Sequence, residues 1–327
     1  MIFWKEGMKG VLCSSLAWMV CIVGIMMHEV PACAEALTEQ GIETTKQSGK
    51  STESSVSKYS FPISSGWTLQ LSPAGDLYPP YIADPKRSGI GISELKVFES
   101  EIPNVGKDRR IEIRMGGNYG FVRIHPNNNP NAGFQFDFMV NFLGQFDMDK
   151  DSDNIGWDGL FGPTFSWADG KGLALKFGIF HDSAHVGDEF AENFGRKRIG
   201  YTREELFWGI SQQFLEKWRC YAEAGWAFDV GDRTNPKHWR AQWGLEYQSK
   251  DSFFGGRAGW YFALDNQFTE ERDWNGSIDL QAGFVVPFED IGRNWRFGIE
   301  YYNGRSVLGE FYRYDESYLA FGMWFDL

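Results

Sequence analysis

Residues 239–247 alternate: Trp239, Ala241, Trp243, Leu245 and Tyr247 are apolar, and Arg240, Gln242 and Glu246 between them are polar. Successive side chains of a strand point to opposite faces, so a period of two predicts a β-strand with one apolar face. Residues 294–302 repeat the pattern, with Trp295, Phe297, Ile299 and Tyr301 against Asn294, Arg296 and Glu300. So do residues 278–286, where Ile278, Leu280, Ala282, Phe284 and Val286 alternate with Asp279 and Gln281. The chain ends on Leu319, Phe321, Met323, Phe325 and Leu327, again on one face. Less regular stretches lie near 90–98, 110–124, 133–146, 159–168, 172–183, 204–215, 217–229 and 254–265. Together these make about twelve segments of roughly ten residues, the length and alternation of strands that cross a membrane. Turn clusters separate them, such as 147–158, Gly231-Asp232-Arg233-Thr234-Asn235-Pro236 and Asp265-Asn266-Gln267.

A soluble β-sandwich also alternates, but two features favour a membrane barrel. The apolar faces are rich in Trp and Tyr at their ends, as interfacial girdles require. The polar faces carry Arg219 and Glu223, Arg240 and Glu246, and Arg296 and Glu300, a charge set suited to a wet lumen rather than a dry core. The expected fold is therefore all-β: a transmembrane antiparallel up-and-down β-barrel of about twelve strands over residues 67–327.

The start of the chain fits export. Lys5 and Lys9 precede an apolar stretch from Val11 to Met27, followed by Ala32-Cys33-Ala34, the pattern of a secretory signal peptide over residues 1–34. Residues 35–66 shift to Ser, Thr, Glu, Gln and Lys and are expected to be a flexible low-complexity segment. Leu77-Tyr78-Pro79-Pro80-Tyr81-Ile82-Ala83-Asp84-Pro85 then makes a stiff, strand-breaking lead-in to the folded part. Three of the four cysteines fall in the signal segment, so Cys220 alone would remain after its removal, and no internal disulfide is expected.

Composition narrows the function. The 28 Phe, 14 Trp and 13 Tyr are too many for a disordered chain. The formal charge of -12 argues against nucleic acid as a partner, because phosphate binding wants a basic face. Phosphate-cradling Gly-rich loops, Cys-x-x-Cys pairs and Gly-x-Ser-x-Gly elbows are absent from the sequence.

One polar cluster stands out, Phe180-His181-Asp182-Ser183-Ala184-His185-Val186-Gly187-Asp188-Glu189. It ends a strand whose apolar positions are Leu173, Leu175, Phe177 and Ile179, so parity sets His181 and Ser183 on the lipid-facing side near a membrane edge. A neutral imidazole there suits the serine proton that nucleophilic acyl transfer must remove. In the next strand Leu206, Trp208 and Ile210 face outward, which places Glu204 on the same side as a group to orient His181. His185 is equally two residues from Ser183 and is a competing base. A serine in that position has the acyl ester of a phospholipid as its substrate. The same residues leave open a polar loop whose His and Asp form turns, or a metal site of His181, His185 and Asp188.

At these residues the chain resembles outer-membrane phospholipase A, a twelve-stranded barrel family with a His-x-Ser pair on a lipid-facing strand, matched here by His181-Asp182-Ser183. The resemblance implies His181 as base, Ser183 as nucleophile, a calcium ion near Asp188, and a homodimer. That family follows its serine with Asn-Gly-Arg, where this chain has Ala184-His185-Val186, and its third catalytic residue is an asparagine where this chain has Glu204. From Leu77 onward the chain also resembles an uncharacterised outer-membrane barrel family, through the lead-in motif and Ser183-Ala184-His185-Val186-Gly187-Asp188-Glu189. The expected location is the cell outer membrane, with membrane lipid and lipopolysaccharide as neighbours. The acidic run Asp147-Met148-Asp149-Lys150-Asp151-Ser152-Asp153-Asn154 imitates the opening of a calcium loop, but Leu160 stands where an EF-hand has its bidentate Glu. The non-enzymatic alternative is a passive barrel, a narrow channel or structural envelope protein, supported by the lumenal Arg and Glu set.

Overall fold

The computed structural model describes residues 59–86, 89–105, 109–249, 252–288 and 293–326. The expected signal peptide, and most of the expected low-complexity segment, lie outside the described residues. Twelve consecutive strands form a closed antiparallel barrel. They are β3 (Ile90–Ser100), β4 (Arg109–Pro126), β5 (Ala132–Asp147), β6 (Asp153–Asp169), β7 (Leu173–Val186), β8 (Thr202–Phe214), β9 (Trp218–Val230), β10 (Trp239–Gln248), β11 (Gly259–Thr269), β12 (Gly276–Phe288), β13 (Arg293–Arg305) and β14 (Asp315–Phe325). The last pairs back onto the first, from Phe325 opposite Ile90 to Glu316 opposite Ser100. Closure pairs strand backbones within the wall, which hydrocarbon demands of any structure that spans it.

Most strand bounds follow the alternation, but two expected turns are strand: β6 begins at Asp153, inside the stretch 147–158, and Asp265-Asn266-Gln267 lie within β11, paired on both sides. A third difference is a displaced strand start. Phe254 reads as the opening of a strand over 254–265, yet β11 starts at Gly259. Phe254, Gly255 and Gly256 have φ of 50°, 68° and 89°, and the Phe253 N–H donates to Ala258 O at 2.9 Å. Two glycines free to turn left-handed make this a tight reversal, so its phenylalanines belong to the turn.

The barrel is apolar outside and polar inside. Along β10, Trp239 and Trp243 are 44% and 46% exposed, while Arg240, Gln242 and Glu246 are 7%, 2% and 5% exposed. The buried charges are paired across strands: Arg240 lies 2.8 Å from Glu205 and 2.5 Å from Glu223, Arg219 lies 3.2 Å from Glu246, and Arg114 lies 3.1 Å from Glu300. A belt of exposed aromatic and aliphatic side chains around a charge-paired interior is the arrangement of a wall facing lipid.

The lumen is filled by the chain itself. β1 (Ser60–Ser64) and β2 (Trp67–Leu71) form a hairpin ahead of the barrel, and β2 pairs with the end of β4, Trp67 opposite Pro126 and Leu71 opposite Val122. Ordered structure thus begins inside the stretch whose composition reads as flexible; pairing to β2 holds these five residues, not their own propensity. Between β2 and β3 the chain crosses the interior. Arg123 donates to Gly75 O at 2.8 Å, Arg219 to Pro79 O at 2.8 Å, Tyr81 O–H to Glu223 at 2.9 Å, and Ile82 N–H to Glu246 at 2.6 Å. Tyr81 stacks on Tyr221 with centroids 3.7 Å apart. Lys86 Nζ lies 2.7 Å from both Asp158 and Asp182. Leu77 to Pro85, a stiff lead-in by sequence, is a lumenal plug. Pro79 and Pro80 suit it, since neither brings an N–H that the interior would have to satisfy. At the rim opposite Ile90 and Phe325, α1 (Asp188–Phe194) and the 306–314 loop fold inward, burying Phe190, Val307, Leu308 and Phe311 against Leu95, Leu143, Ile155 and Tyr302.

Candidate functional site

The outer face of β7 changes character along its length. Leu175, Phe177 and Ile179 are exposed apolar residues, and the same parity then carries His181, Ser183 and His185 toward the capped rim. Register fixes their neighbours: on β8, Glu204 stands opposite His181 and Thr202 opposite Ser183; on β6, Phe161, Gly159 and Trp157 stand opposite His181, Ser183 and His185. His181 Nδ1 and Glu204 Oε1 are 2.5 Å apart, with the two side chains 30% and 34% exposed. With the carboxylate as acceptor, Nδ1 is the donor of this bond and Nε2 is left for another partner.

The flanking rings hold both imidazoles. His181 lies 5.0 Å from the Phe161 ring, and His185 stacks on Trp157 at 4.1 Å with planes 22° apart. Between these two pairs Gly159 leaves a notch: a Cβ there would stand 3.7 Å from Trp157 and 3.8 Å from Ser183 Oγ, in open contact. Ser183 is therefore reachable from the lipid side past Gly159. Among the described residues its Oγ is hydrogen-bonded to neither His181 nor His185; two strand residues separate each pair, about 6.6–7 Å along the backbone.

Asp188 opens α1, a short helix beyond the end of β7, and is ion-paired with Arg198 at 3.0 Å. Among the described residues no group of three His, Cys, Asp or Glu side chains converges to hold a metal ion. Asp188 is exposed and, among the described residues, stands without two further acidic or His side chains beside it, so the side chains present do not make the oxygen-rich set that calcium takes. The run from Asp147 to Asn154 spans the end of β5, the turn at 148–152 and the start of β6, with Asp147 accepting the Asp149 N–H at 3.0 Å.

Over residues 18–327 the sequence matches a family model described as Protein of unknown function (DUF1207). The chain belongs to that family. Comparison with curated protein sequences gives no significant match. Among solved structures, outer membrane phospholipase A from Escherichia coli aligns with 74% of this chain and 93% of its own, at 9% identity and a TM-score of 0.52. The outer membrane phospholipase dimer of Salmonella typhi, with bound calcium, aligns with 74% and 91% at 10% identity and a TM-score of 0.51. At these identities the likeness is one of fold.

In this DUF1207 chain the residues that sequence reasoning passed over are the inner partners of the same strand. Asp182, between His181 and Ser183, faces the lumen and receives Lys86 of the plug. Lys176 of β7 reaches Glu223 at 2.5 Å, with its ammonium 4.2 Å from the Tyr81 ring centroid. A cavity of about 100 Å³ remains above the plug, lined by Lys86, Asp182, Tyr201, Arg203 and Glu271 among others. The signal available was the parity itself: charged residues at even positions of β7 need partners, and Tyr78, Tyr81 and Lys86 lie on a segment that cannot be a strand.

Proposed function

We propose that the chain is an outer-membrane barrel of Gram-negative type whose β7–β8 wall hydrolyses acyl esters of phospholipids. One observation carries the reading: a carboxylate–imidazole pair at 2.5 Å on the membrane-facing side of the wall, with Ser183 next along the same face. The same face of β7 carries only apolar residues lower down, Leu175, Phe177 and Ile179, so the polar groups mark a change of chemistry toward the rim. Glu204 holds the imidazole by Nδ1 and stabilises the imidazolium that forms. His181 Nε2 takes the proton of Ser183 Oγ as the oxygen attacks the ester carbonyl, then returns it to the departing lysolipid oxygen. Water attacks the acyl-serine with the same base, releasing fatty acid. Ser183 is bonded to neither histidine, so its side chain must turn toward one of them when substrate enters the notch at Gly159. His185 is the second candidate base. Calcium, which the likeness brings to mind near Asp188, is a variable of the assay rather than a step. The fold's likeness to a dimeric phospholipase supports a homodimer, and lipopolysaccharide is the expected neighbour of the outer rim.

The test is fatty-acid release from mixed micelles, with calcium and with chelator, by the wild type, Ser183→Ala and His181→Ala. Release by the wild type should fall at least about 10³-fold in both variants. Equal release by all three proteins, or none by the wild type in either condition, overturns the reading.

The packed lumen favours a second reading, a structural envelope barrel without enzymatic activity. A channel would need the space that residues 72–86 occupy, so single-channel recordings should stay at the level of the empty bilayer.

A further inference from the structure

The outer wall carries a groove of about 560 Å³ that the hydrolysis step itself does not use. Its sides are Phe165, Phe177, Trp208 and Ile210, and its floor is Ala222 and Ala224. Register puts these residues in two adjoining rows: Phe165, Phe177, Trp208 and Ala224 in one, and Ile210 opposite Ala222 in the next. Large rings on β6, β7 and β8 beside two alanines on β9 make a trough in a surface otherwise covered by bulky side chains.

The trough lies on the same face of β7 as Ser183, six residues toward the start of the strand. That is about 20 Å along the strand. Barrel strands tilt by roughly 35–45°, so the descent along the membrane normal is about 15 Å. A single leaflet's acyl chains span about half of a hydrocarbon core of roughly 30 Å, the same depth. Between the two points the outer face of β7 and β8 offers only Ile179 and Leu206 beside the His181–Glu204 pair. Resting on the acyl-ester reading above, we infer that this groove seats the distal part of the acyl chain of a phospholipid whose ester lies at Ser183. The occupant is lipid because the wall faces the bilayer, the lining is apolar, and the groove continues from the candidate site at a one-leaflet distance. Long-chain lipids reach the groove and short-chain lipids do not, so the enzyme should prefer long acyl chains.

Filling the floor tests this. The full chain is purified as wild type, as Ala224→Phe, and as Ala282→Phe, which adds the same bulk on β12 away from the groove. Fatty-acid release is compared for dipalmitoyl and dioctanoyl phosphatidylcholine in mixed micelles. Wild type and Ala282→Phe should favour the long chain, and Ala224→Phe should lose about tenfold of that preference while keeping dioctanoyl release, the scale on which an apolar pocket discriminates chain length. Retention of each lipid, read by native mass spectrometry on the Ser183→Ala protein, separates the two claims. Preferential retention of dipalmitoyl lipid, lost on adding Ala224→Phe, supports the groove even if no protein releases fatty acid. Equal retention of both lipids by Ser183→Ala with and without the added phenylalanine overturns it. So does an Ala224→Phe effect confined to loss of a dimer, with the chain-length ratio unchanged, since the groove would then belong to a second copy.

Discussion

His181 and Asp182 are adjacent in the chain and face opposite solvents. Outside, His181 meets Glu204 across the β7–β8 ladder, with both side chains about one third exposed toward lipid. Inside, Asp182 shares Lys86 with Asp158; the three side chains are 6%, 14% and 3% exposed. The inner cluster ties the plug to the wall and has an evident structural use. The outer pair ties no further element to the wall: imidazole and carboxylate bond each other across the ladder, beside the Phe161 ring.

The comparison breaks if stability does not follow the inner face. Lys86→Ala leaves two buried carboxylates side by side with no cation, and removing one partner of a buried ion pair costs about 3–5 kcal/mol. The temperature at which the barrel loses its fast gel mobility should drop sharply. His181→Ala removes one side of a partly exposed pair and should change stability by no more than about 1 kcal/mol. Equal shifts for the two variants would erase the distinction.

Two glycines of β6 sharpen it. A Cβ on Gly162 would stand 2.0 Å from the backbone oxygen of Ile179, so Gly162→Ala must push β7 away. Overpacking of that kind costs about 1–3 kcal/mol, measurable in urea. A Cβ on Gly159 finds ordinary contacts at 3.7 and 3.8 Å, so Gly159→Ala should stay within about 0.5 kcal/mol of wild type. It narrows the notch beside Ser183, however, and ester hydrolysis should slow while melting does not.

The barrel was legible because its outer face obeys one rule over twelve strands, and each strand repeats the evidence. The strand displaced at Phe254 shows the limit: an aromatic residue imitates a strand opening until it and the glycines after it turn left-handed. The plug was visible as a stretch that could not be a strand, but not as a plug. Its partners Glu223, Glu246 and Arg296 lie more than a hundred residues away in sequence, and no local pattern names them. At the candidate site, counting parity on β7 and β8 is enough to set Glu204 beside His181. Whether Ser183 Oγ points to His181, to His185 or to neither depends on one side-chain torsion, and alternation is silent about torsions.

Glu204→Gln separates charge from position on the outer face. The amide oxygen still accepts from His181 Nδ1, so the ring keeps its orientation, but the negative charge that steadies an imidazolium is gone. Fatty-acid release should fall by about 10³- to 10⁴-fold with melting unchanged. A loss of release matched by a loss of stability would make Glu204 a wall residue like those inside.

The smallest effect concerns the loops above the wall, where neither lipid nor plug intervenes. Asp232, in the β9–β10 loop, accepts from Thr234 N–H at 3.0 Å, Tyr312 O–H at 2.9 Å and Arg313 at 2.5 Å, joining that loop to the 306–314 segment. Burial disfavours its charge, but these hydrogen bonds from Thr234, Tyr312 and Arg313 outweigh burial and hold the carboxyl below the usual carboxylate range. The sign follows from that depression: the tie is present above the ordinary carboxylate pKa and is lost as pH falls through the lowered one. Hydrogen-exchange protection at Thr234 and Asn235, corrected for the intrinsic pH dependence of exchange, should therefore drop in acid, while protection along β7 and β9 holds. Asp232→Asn should remove the pH dependence and leave the barrel's melting within about 0.5 kcal/mol of wild type. If the strands lose protection together with the loop, the loops and the lumenal network form one cooperative unit, and the division between a held interior and a separately responsive exterior fails at the rim.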